Sequence, residues 1–233
     1  MDMKSNPLAT APASTTVSAS ARIYADLRRR IVALELPPDT TLDRSELAAL
    51  YQVSQSPIRE AMLRLEQDGL VVSYPQSRTV VTRIDRSRIA QEHFLRVAVE
   101  CEVVRRLAEH ADPEAIVRLR GHLRLQEAIV EDLDQAALFK QLDDSFHETL
   151  FEAVGQSGLH SHIASRSSHL ARIRTLDLPR KGKMRAVFEG HKQVLDAIED
   201  GDAIAAADAM RKHLSGTIER VPAIVAESPR YFS

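Results

Sequence analysis

The chain has 233 residues, of which 44% are hydrophobic and 27% are charged, and its formal net charge at pH 7 is -2. This composition is typical of a folded globular protein, and the net charge excludes a polycation that coats nucleic acid by charge alone. No apolar run approaches the roughly 20 residues that span a bilayer, and the single cysteine, Cys101, lies in an apolar helical pattern that fits a buried thiol in a reducing cytoplasm.

The amino-terminal part of the chain predicts a tail and two helices. Residues 1–20 are rich in Ala, Ser, Thr and Pro and lack the apolar stretch of a signal peptide, so we expect a disordered tail there. From Arg22, apolar residues at helical spacing predict a helix over residues 21–34. After the proline-containing ELPPDTTLD, the segment SELAALY predicts a short second helix with Ser45 as its N-cap.

A third helix and a β-hairpin are predicted next. In SPIREAMLRLEQDGL, Ser56 suits the N-cap, Pro57 suits the first helical turn and Gly69 suits the C-terminal stop. The β-branched runs LVVSY and TVVTRI, joined by the turn-forming PQSR, predict a two-stranded hairpin. Helices followed by a hairpin form the layout of a winged helix-turn-helix, which we assign to residues 21–84 and whose last helix enters the DNA major groove.

The first turn of the third predicted helix carries side chains suited to DNA. Ser54 and Ser56 offer hydroxyls to phosphates, Gln55 offers an amide that pairs with adenine, and Arg59 offers a guanidinium for guanine or phosphate. Free backbone N–H groups at the same helix end add an anion site. An ordinary capped helix with solvated polar residues is the alternative, and this segment alone leaves both interpretations open.

Beyond residue 84 the β-strand signals end, and helical patterns continue almost to the end of the chain. They predict an all-α domain of about six helices over residues 85–222, followed by a C-terminal tail over residues 223–233. The predicted breaks between helices fall at residues 111–113, 133–134, 155–158, 176–182 and 200–202. The predicted fold class is therefore mainly α, with an N-terminal winged helix-turn-helix and an all-α helical bundle.

Four polar residues in this second domain lie on or beside apolar helix faces. Asp143 and His147 are four residues apart in LDDSFHETLF, and His191 and His213 occupy similar places in two later helices. Antiparallel packing of these helices would bring the four side chains together. A buried carboxylate needs a cation, a hydrogen-bond donor or a metal beside it. From the residues alone, a metal site and a hydrogen-bonded core pair both remain open.

Residues 22–84 resemble the DNA-binding domain of GntR-family transcription regulators, through SELA, VSQSPIREAMLRLEQDGLV and the wing in order. Family members usually have an arginine at the positions of Gln55 and Ser45 and a glycine at Arg78, so Arg44 or Arg78 is expected to replace contacts made elsewhere. The resemblance does not imply an operator sequence. It implies DNA contacts by the start of the third helix, namely Ser54, Gln55, Ser56 and Arg59, with PQSR as the wing tip.

The region from about residue 85 to 221 resembles the helical FCD effector domain of the FadR-type branch, in its shorter six-helix variety. The resemblance implies an effector arginine at Arg96, followed four residues later by Glu100, although an intrahelical ion pair is the alternative. Arg172 and Arg174 are further candidates for binding the effector. The resemblance also implies a divalent metal, Zn, Ni, Mn or Fe, bound by Asp143, His147, His191 and His213.

The function implied by these resemblances is a cytoplasmic, homodimeric, ligand-responsive transcription regulator, expected to be a repressor. It would bind a pseudo-palindromic DNA operator and a small organic acid, which would complete the coordination of the metal. A DNA-binding regulator with a purely structural, closed metal site is one alternative. A metal-dependent hydrolase is another, which the lack of a P-loop, a nucleophile elbow or a marked general base disfavours.

Overall fold

The computed structural model describes residues 17–74 and 78–233. Most of the predicted tail and residues 75–77 of the predicted wing turn therefore lie outside the described residues. The described chain is mainly α-helical, with a small amino-terminal sheet followed by helices alone, which confirms the predicted fold class.

Within its described residues, the winged part contains three helices and a three-stranded antiparallel sheet in the order β1-β3-β2. The predicted hairpin is formed by β2 and β3, whereas β1 pairs with the other edge of β3 and was missed because two residues give no periodic signal. The elements are α1 (Ala19–Val32), β1 (Thr41–Leu42), α2 (Arg44–Tyr51), α3 (Gln55–Gln67), β2 (Val71–Ser73) and β3 (Thr79–Val81).

The helix starts differ from the predicted ones by one or two residues. The predicted N-cap Ser45 is wrong, because the Asp43 carboxylate accepts the backbone N–H groups of Ser45 and Glu46 at 2.7 and 2.9 Å. The third helix begins at Gln55, so Ser54 occupies the N-cap position predicted for Ser56. The predicted C-terminal stop is confirmed, since Gly69 follows α3 with a φ of 70°.

The core of the winged part fixes which face of α3 is exposed. Ile58 and Leu65 of α3 are fully buried, and they pack with Leu27 and Ile31 of α1 in one apolar cluster. Because these residues recur at helical spacing, the opposite face of α3, including Arg59, faces solvent. The packing therefore presents the polar start of α3 at the surface.

The rest of the chain folds into eight α-helices within residues 86–227, two more than predicted. The predicted helix between the breaks at residues 155–158 and 176–182 is divided into two helices at Ser167. A short additional helix follows the last predicted helix after Arg220. No described helix is long and apolar enough to cross a membrane. The helices are α4 (Arg86–Glu109), α5 (Pro113–Ile129), α6 (Ala136–Ala153), α7 (Ser157–Arg166), α8 (Ser168–Asp177), α9 (Lys183–Glu199), α10 (Ala203–Ile218) and α11 (Val221–Glu227).

The main core of the helical domain lies where α4, α6, α9 and α10 pack together. Leu107, Phe146, Ile198 and Met210, one from each of these helices, are all fully buried there. Burial of such side chains contributes roughly 1.5–3 kcal/mol each. Polar residues on the same helix faces are consequently held inside the bundle.

The C-terminal segment packs against the boundary between the two domains. The backbone N–H of Ile84 donates to the Tyr231 carbonyl at 2.8 Å, and the N–H of Ser233 donates to the Ile84 carbonyl at 3.2 Å. Ile224 and Phe232 are buried in the same apolar cluster as Ile84. The prediction of a C-terminal tail from residue 223 is therefore wrong, because this segment is folded and its apolar residues are buried against the rest of the protein.

Helix α8 joins the helical domain to the winged domain. It belongs to the helical part of the chain, yet it contacts the end of α1, the end of α3 and the segment that follows β3. Its side chains donate hydrogen bonds to three backbone carbonyls of the winged domain: Ser168 to Asp68 at 3.0 Å, Arg172 to Thr82 at 2.6 Å and Thr175 to Val32 at 2.9 Å.

Candidate functional site

The structure brings the four predicted metal ligands together inside the helical bundle. Asp143 and His147 lie on α6, His191 on α9 and His213 on α10. One ligand atom from each residue lies within 4.8 Å of the others. The first three side chains are buried and His213 is partly exposed. We call these four residues the ligand cluster.

Neighbouring polar groups orient the imidazoles of the ligand cluster. His147 Nδ1 lies 2.6 Å from Glu100 Oε2, and His191 Nδ1 lies 2.9 Å from Gln126 Oε1. Gln126 Oε1 accepts the Nδ1 proton of His191, which leaves the Nε2 lone pair of that ring directed into the cluster, whereas His147 Nδ1 faces the Glu100 carboxylate at an ion-pair distance. His147 Nε2 is then 3.3 Å from His213 Nε2. His191, with its Nδ1 proton held by an acceptor, has the tautomer in which Nε2 can bind a metal.

Burial keeps two of the imidazoles neutral. The pKa of His191 is well below its usual value because of burial first and the nearby His213 and His147 second. The pKa of His213 is also well below its usual value: although part of this residue remains exposed, the loss of water around its ring is the first cause and His147 is the second. A neutral imidazole has a free lone pair for a metal, whereas an imidazolium has none. Both rings are therefore in the protonation state that metal binding needs.

The donor set fits a divalent transition metal. Three imidazole nitrogens and one carboxylate oxygen are ligands typical of Zn²⁺, Ni²⁺, Mn²⁺ and Fe²⁺. His191 Nε2 is buried without a hydrogen-bond partner among the described residues, and it lies 3.5 Å from Asp143 Oδ1. Such an unsatisfied buried nitrogen costs free energy that a bound ion would recover. The residues present thus match the implied metal.

A small cavity of about 160 Å³ adjoins the ligand cluster, and we call it the inner cavity. His147 opens into it, together with two of the three predicted effector arginines, Arg96 and Arg174. Arg96 Nε forms an intrahelical pair with Glu100 Oε1 at 2.6 Å, as the alternative interpretation of that arginine predicted. Arg174 contacts the carboxylate of Asp143, so its head group reaches the ligand cluster itself.

Arg172, the third predicted effector arginine, is not among the residues that line the inner cavity. Its fully buried guanidinium donates to the Thr82 carbonyl at 2.6 Å and lies 3.1 Å from His169 Nδ1, at the junction of the domains. Burial lowers the pKa of Arg172 to about 10. At the same junction the Glu92 carboxylate accepts the N–H groups of His169 and Leu170 at the start of α8.

Several residues around the ligand cluster were missed by sequence reasoning. Gln126 of α5 is fully buried and holds His191, yet nothing in its local sequence distinguishes it from exposed glutamines. Lys140 and His160 line the inner cavity as well. Lys140 precedes Asp143 by one turn, so helical periodicity would have placed it near the cluster.

The predicted DNA-contacting residues form an exposed surface on the winged domain. All six are exposed, and those in α3 lie in its first turns or at its N-cap. Arg44 at the start of α2, Gln55 and Arg78 line one surface depression together with Tyr74. Within the described residues the Ser54 side chain makes no capping hydrogen bond, so N–H groups at this helix end remain open to phosphate.

Comparison with known proteins assigns both parts of the chain to families. The profile of bacterial regulatory proteins of the gntR family matches residues 19–81, and the FCD domain profile matches residues 93–216. Proteins with these domains bind DNA operators and small-molecule effectors, and FCD domains often bind metal. The two matched ranges correspond to the winged domain and to the bundle that holds the ligand cluster.

Two relatives match nearly the whole chain. An uncharacterized HTH-type transcriptional regulator in an unstable DNA locus of Streptomyces ambofaciens is 36% identical over 211 residues, covering 91% of this chain and 88% of the relative. The HTH-type transcriptional repressor RspR of Escherichia coli (strain K12) is 29% identical over 214 residues, covering 91% and 92%. These relatives are transcription regulators, which excludes the hydrolase alternative.

A solved structure shares the fold. The chain superposes on E. coli McbR/YncC with a TM-score of 0.73 at 17% sequence identity, and the alignment covers 91% of this chain and 99% of that chain. This likeness shows that the two chains share the fold. The chain belongs to the gntR family of bacterial regulatory proteins and is a DNA-binding transcription regulator with an FCD domain, not an enzyme.

Proposed function

We propose that the protein is a homodimeric repressor of the cytoplasm, which binds a pseudo-palindromic operator and releases it in response to a small carboxylate. The carboxylate would be anchored by a divalent metal in the ligand cluster. The observation that carries this proposal is the contact between the ligand cluster and the inner cavity, because His147 belongs to both. A closed structural site would have no such opening toward a ligand.

The ligand cluster would hold the ion through Asp143 Oδ1 or Oδ2 and the inward nitrogens of His147, His191 and His213. A bound divalent ion supplies exchangeable coordination positions to which a carboxylate oxygen can bind. Glu100 and Gln126 would keep two of the imidazoles in place through their Nδ1 contacts.

The arginines of the inner cavity suit a carboxylate. Arg174 Nη1 lies 3.0 Å from Asp144 Oδ1, and its Nη2 contacts Asp143, so the guanidinium spans two carboxylates. An incoming carboxylate would compete for the same fork of donors, since arginine binds carboxylates in a bidentate manner. Arg96, held by Glu100, would provide a second cation on another wall.

The response would pass to DNA through α8. Arg174 of this helix contacts the ligand cluster, while Arg172 and Thr175 of the same helix hold the winged domain at Thr82 and Val32. A shift of α8 that follows capture of Arg174 would therefore change the placement of the winged domain. Two winged domains in a dimer bind two half-sites at fixed spacing, so a change in placement alters operator affinity.

Metal analysis and ligand-dependent stability test the proposal. Asp143→Asn and His147→Ala are expected to lower bound metal, while His162→Ala on the exposed face of α7 is the matched control and keeps wild-type metal. Acetate is expected to raise the melting temperature of the metal-loaded wild type and to have no effect after chelation. Wild-type metal content in both cluster variants would contradict the metal site. A stabilisation by acetate that survives chelation would contradict the anchoring role of the metal.

A further inference from the structure

A second, larger cavity of about 870 Å³ lies between the winged domain and the helical domain, and we call it the interdomain cleft. One wall is α1 with part of α3, and the other consists of α6, α7 and α8 with the turn that follows α8. Its volume falls in the range of about 300–1,000 Å³ that small-molecule sites occupy. Apolar side chains line much of it: Val32, Ala33, Ala136, Ala137, Ala164, Leu178 and Pro179.

The interdomain cleft adjoins the inner cavity beside the ligand cluster. Five residues line both spaces and form the boundary between them: Arg28, Val32, Lys140, Asp144 and Ala164. Two of these residues, Arg28 and Val32, belong to α1 and hence to the DNA-binding part of the chain. The inner cavity is therefore built from both domains.

The charges around the inner cavity favour an anion. Four cationic side chains and two carboxylates line the inner cavity, namely Arg28, Arg96, Lys140, Arg174, Glu100 and Asp144. Asp144 is shared, because its two oxygens contact Lys140 at 2.9 Å and Arg174 at 3.0 Å. Arg28 donates an Nη2 hydrogen bond to the Ala164 carbonyl, but its buried Nε has no partner among the described residues. A ligand carboxylate would supply the missing acceptor.

We propose that the effector is an amphipathic carboxylate whose apolar body fills the interdomain cleft and whose carboxylate enters the inner cavity past Arg28. This inference rests on the proposed function, because it assigns the chemical class of the same effector. The inner cavity, at about 160 Å³, has room for a carboxylate and a few carbons, whereas the apolar walls outside it would bury a longer chain. Arg28 is then a specificity-determining residue contributed by the DNA-binding domain.

Contact with both domains gives such a ligand direct control of their placement. Its apolar body would touch α1 on one side and the end of α8 on the other, while its carboxylate competes for Arg174. Because the ligand contacts both walls, its binding free energy depends on the separation of the domains. A short carboxylate confined to the inner cavity would compete for Arg174 but would lack the apolar contacts with the walls of the interdomain cleft.

Titration calorimetry with octanoate and acetate tests this inference on the full-length, metal-loaded protein. Octanoate is expected to bind at least tenfold more tightly than acetate, because its chain is buried in the interdomain cleft. Ala137→Trp places a large side chain in the cleft at an exposed helical position, and it should weaken octanoate at least tenfold while leaving acetate unchanged. Ala128→Trp, at an exposed position of α5 outside the cleft, is the matched control and should bind both as wild type does.

Arg28→Gln tests the contribution of the DNA-binding domain. It is expected to weaken octanoate about tenfold, whereas Arg22→Gln, an exposed position on the same helix, should leave the affinity unchanged. Sedimentation of Ala137→Trp should show the wild-type oligomeric state. Dissociation of this variant would instead assign the cleft to contacts between copies and overturn the inference.

The outcomes separate this inference from the proposed function. The cleft assignment would be overturned by equal affinities for octanoate and acetate, or by octanoate binding that Ala137→Trp does not weaken. If acetate binding still depends on the metal in that case, the proposed function stands. Octanoate binding that persists after chelation but is weakened by Ala137→Trp would support the cleft and contradict the metal anchor. Absence of binding by both carboxylates would contradict both.

Discussion

His147 Nδ1 lies 2.6 Å from Glu100 Oε2, and this contact joins α6 to α4 at the ligand cluster. Both side chains are 4% exposed, so neither can exchange its partner for water without rearrangement. Burial raises the pKa of Glu100, but the Arg96 guanidinium and His147 outweigh it and hold that pKa below its usual value. Glu100 is thus a buried carboxylate that fixes the orientation of a predicted metal ligand.

Replacement of Glu100 should weaken metal binding without removing a ligand. We expect Glu100→Gln to lower metal affinity by about tenfold or more. A neutral amide would hold the His147 ring less firmly than the carboxylate does and would make its metal-binding nitrogen a weaker donor. Glu102→Gln on the exposed side of the same helix is the control, and competition with a chelating dye gives the affinities. An unchanged affinity in Glu100→Gln would show that the contact is structural alone.

The close approach of α9 to α10 gives a prediction about the geometry of the ligand cluster. A Cβ at Gly190 would lie 2.7 Å from His213 Nδ1, whereas a Cβ at Gly121 of α5 meets nothing within 4 Å. Gly190→Ala should therefore displace His213, lower metal affinity and cost about 1–3 kcal/mol of unfolding free energy. Gly121→Ala should raise that free energy by about 0.5–1 kcal/mol and keep the affinity. Similar effects of the two substitutions would contradict the packing.

Periodicity and turn signals predicted most of the fold because they are local properties of the chain. The Gly69 stop and the alternation of helices with breaks were found in this way. The two-residue β1, the division at Ser167 and the anchoring of Phe232 against Ile84 depend on contacts between distant segments, which local patterns do not carry. Predictions of contacts between distant segments therefore failed, and among local features the N-caps were displaced by two residues, to Asp43 and Ser54.

In the candidate site, too, residues with a local signal were predicted, whereas their partners from distant segments were not. Asp143, His147, His191 and His213 were predicted from helical faces and a family resemblance, and the structure brings them together. Their partners were harder to predict, because Gln126 becomes a partner of His191 only through the packing of α5 on α9. Arg172 and Arg174 are two residues apart on α8 and hence point to different sides, one to the winged domain and one to the ligand cluster.

The domain junction gives a prediction about pH. Burial raises the pKa of Glu92 from 4.5 to about 7, so its contribution to folding is complete at low pH and is lost as the pH rises through the folded-state value. Relative to Glu92→Gln, the wild type should lose about 2 kcal/mol of unfolding free energy between about pH 5.5 and pH 8.

Urea unfolding of the two proteins at both pH values measures this difference, with exposed Glu127→Gln as the control. Burial also lowers the pKa of His169 to about 3, which removes stability as the pH falls below its usual value. The contribution of His169 is present in the wild type and in Glu92→Gln, so it cancels in the difference between their unfolding free energies. A pH-independent difference between wild type and Glu92→Gln would show that Glu92 remains ionised.

The winged domain gives a prediction about DNA binding. Arg59 is exposed on α3, so Arg59→Ala should lower operator affinity by about 1–3 kcal/mol and leave the fold intact. Lys192→Ala removes one positive charge from an exposed position of α9 and is the matched control. Fluorescence anisotropy with a duplex that the wild type selects from random DNA gives both affinities. Wild-type binding by a folded Arg59→Ala would mean that another face of the domain enters the groove.

The measurement that tests the central claim most directly is the affinity of His147→Ala for the same duplex, with and without octanoate or acetate. The wild type should lose affinity when a carboxylate is added, whereas the folded, dimeric variant should bind the free duplex normally and fail to respond, because the anchor of the carboxylate is gone. A full response in His147→Ala would contradict the account. So would a joint loss of dimerisation, DNA binding and metal, since that result would assign the metal a purely structural role.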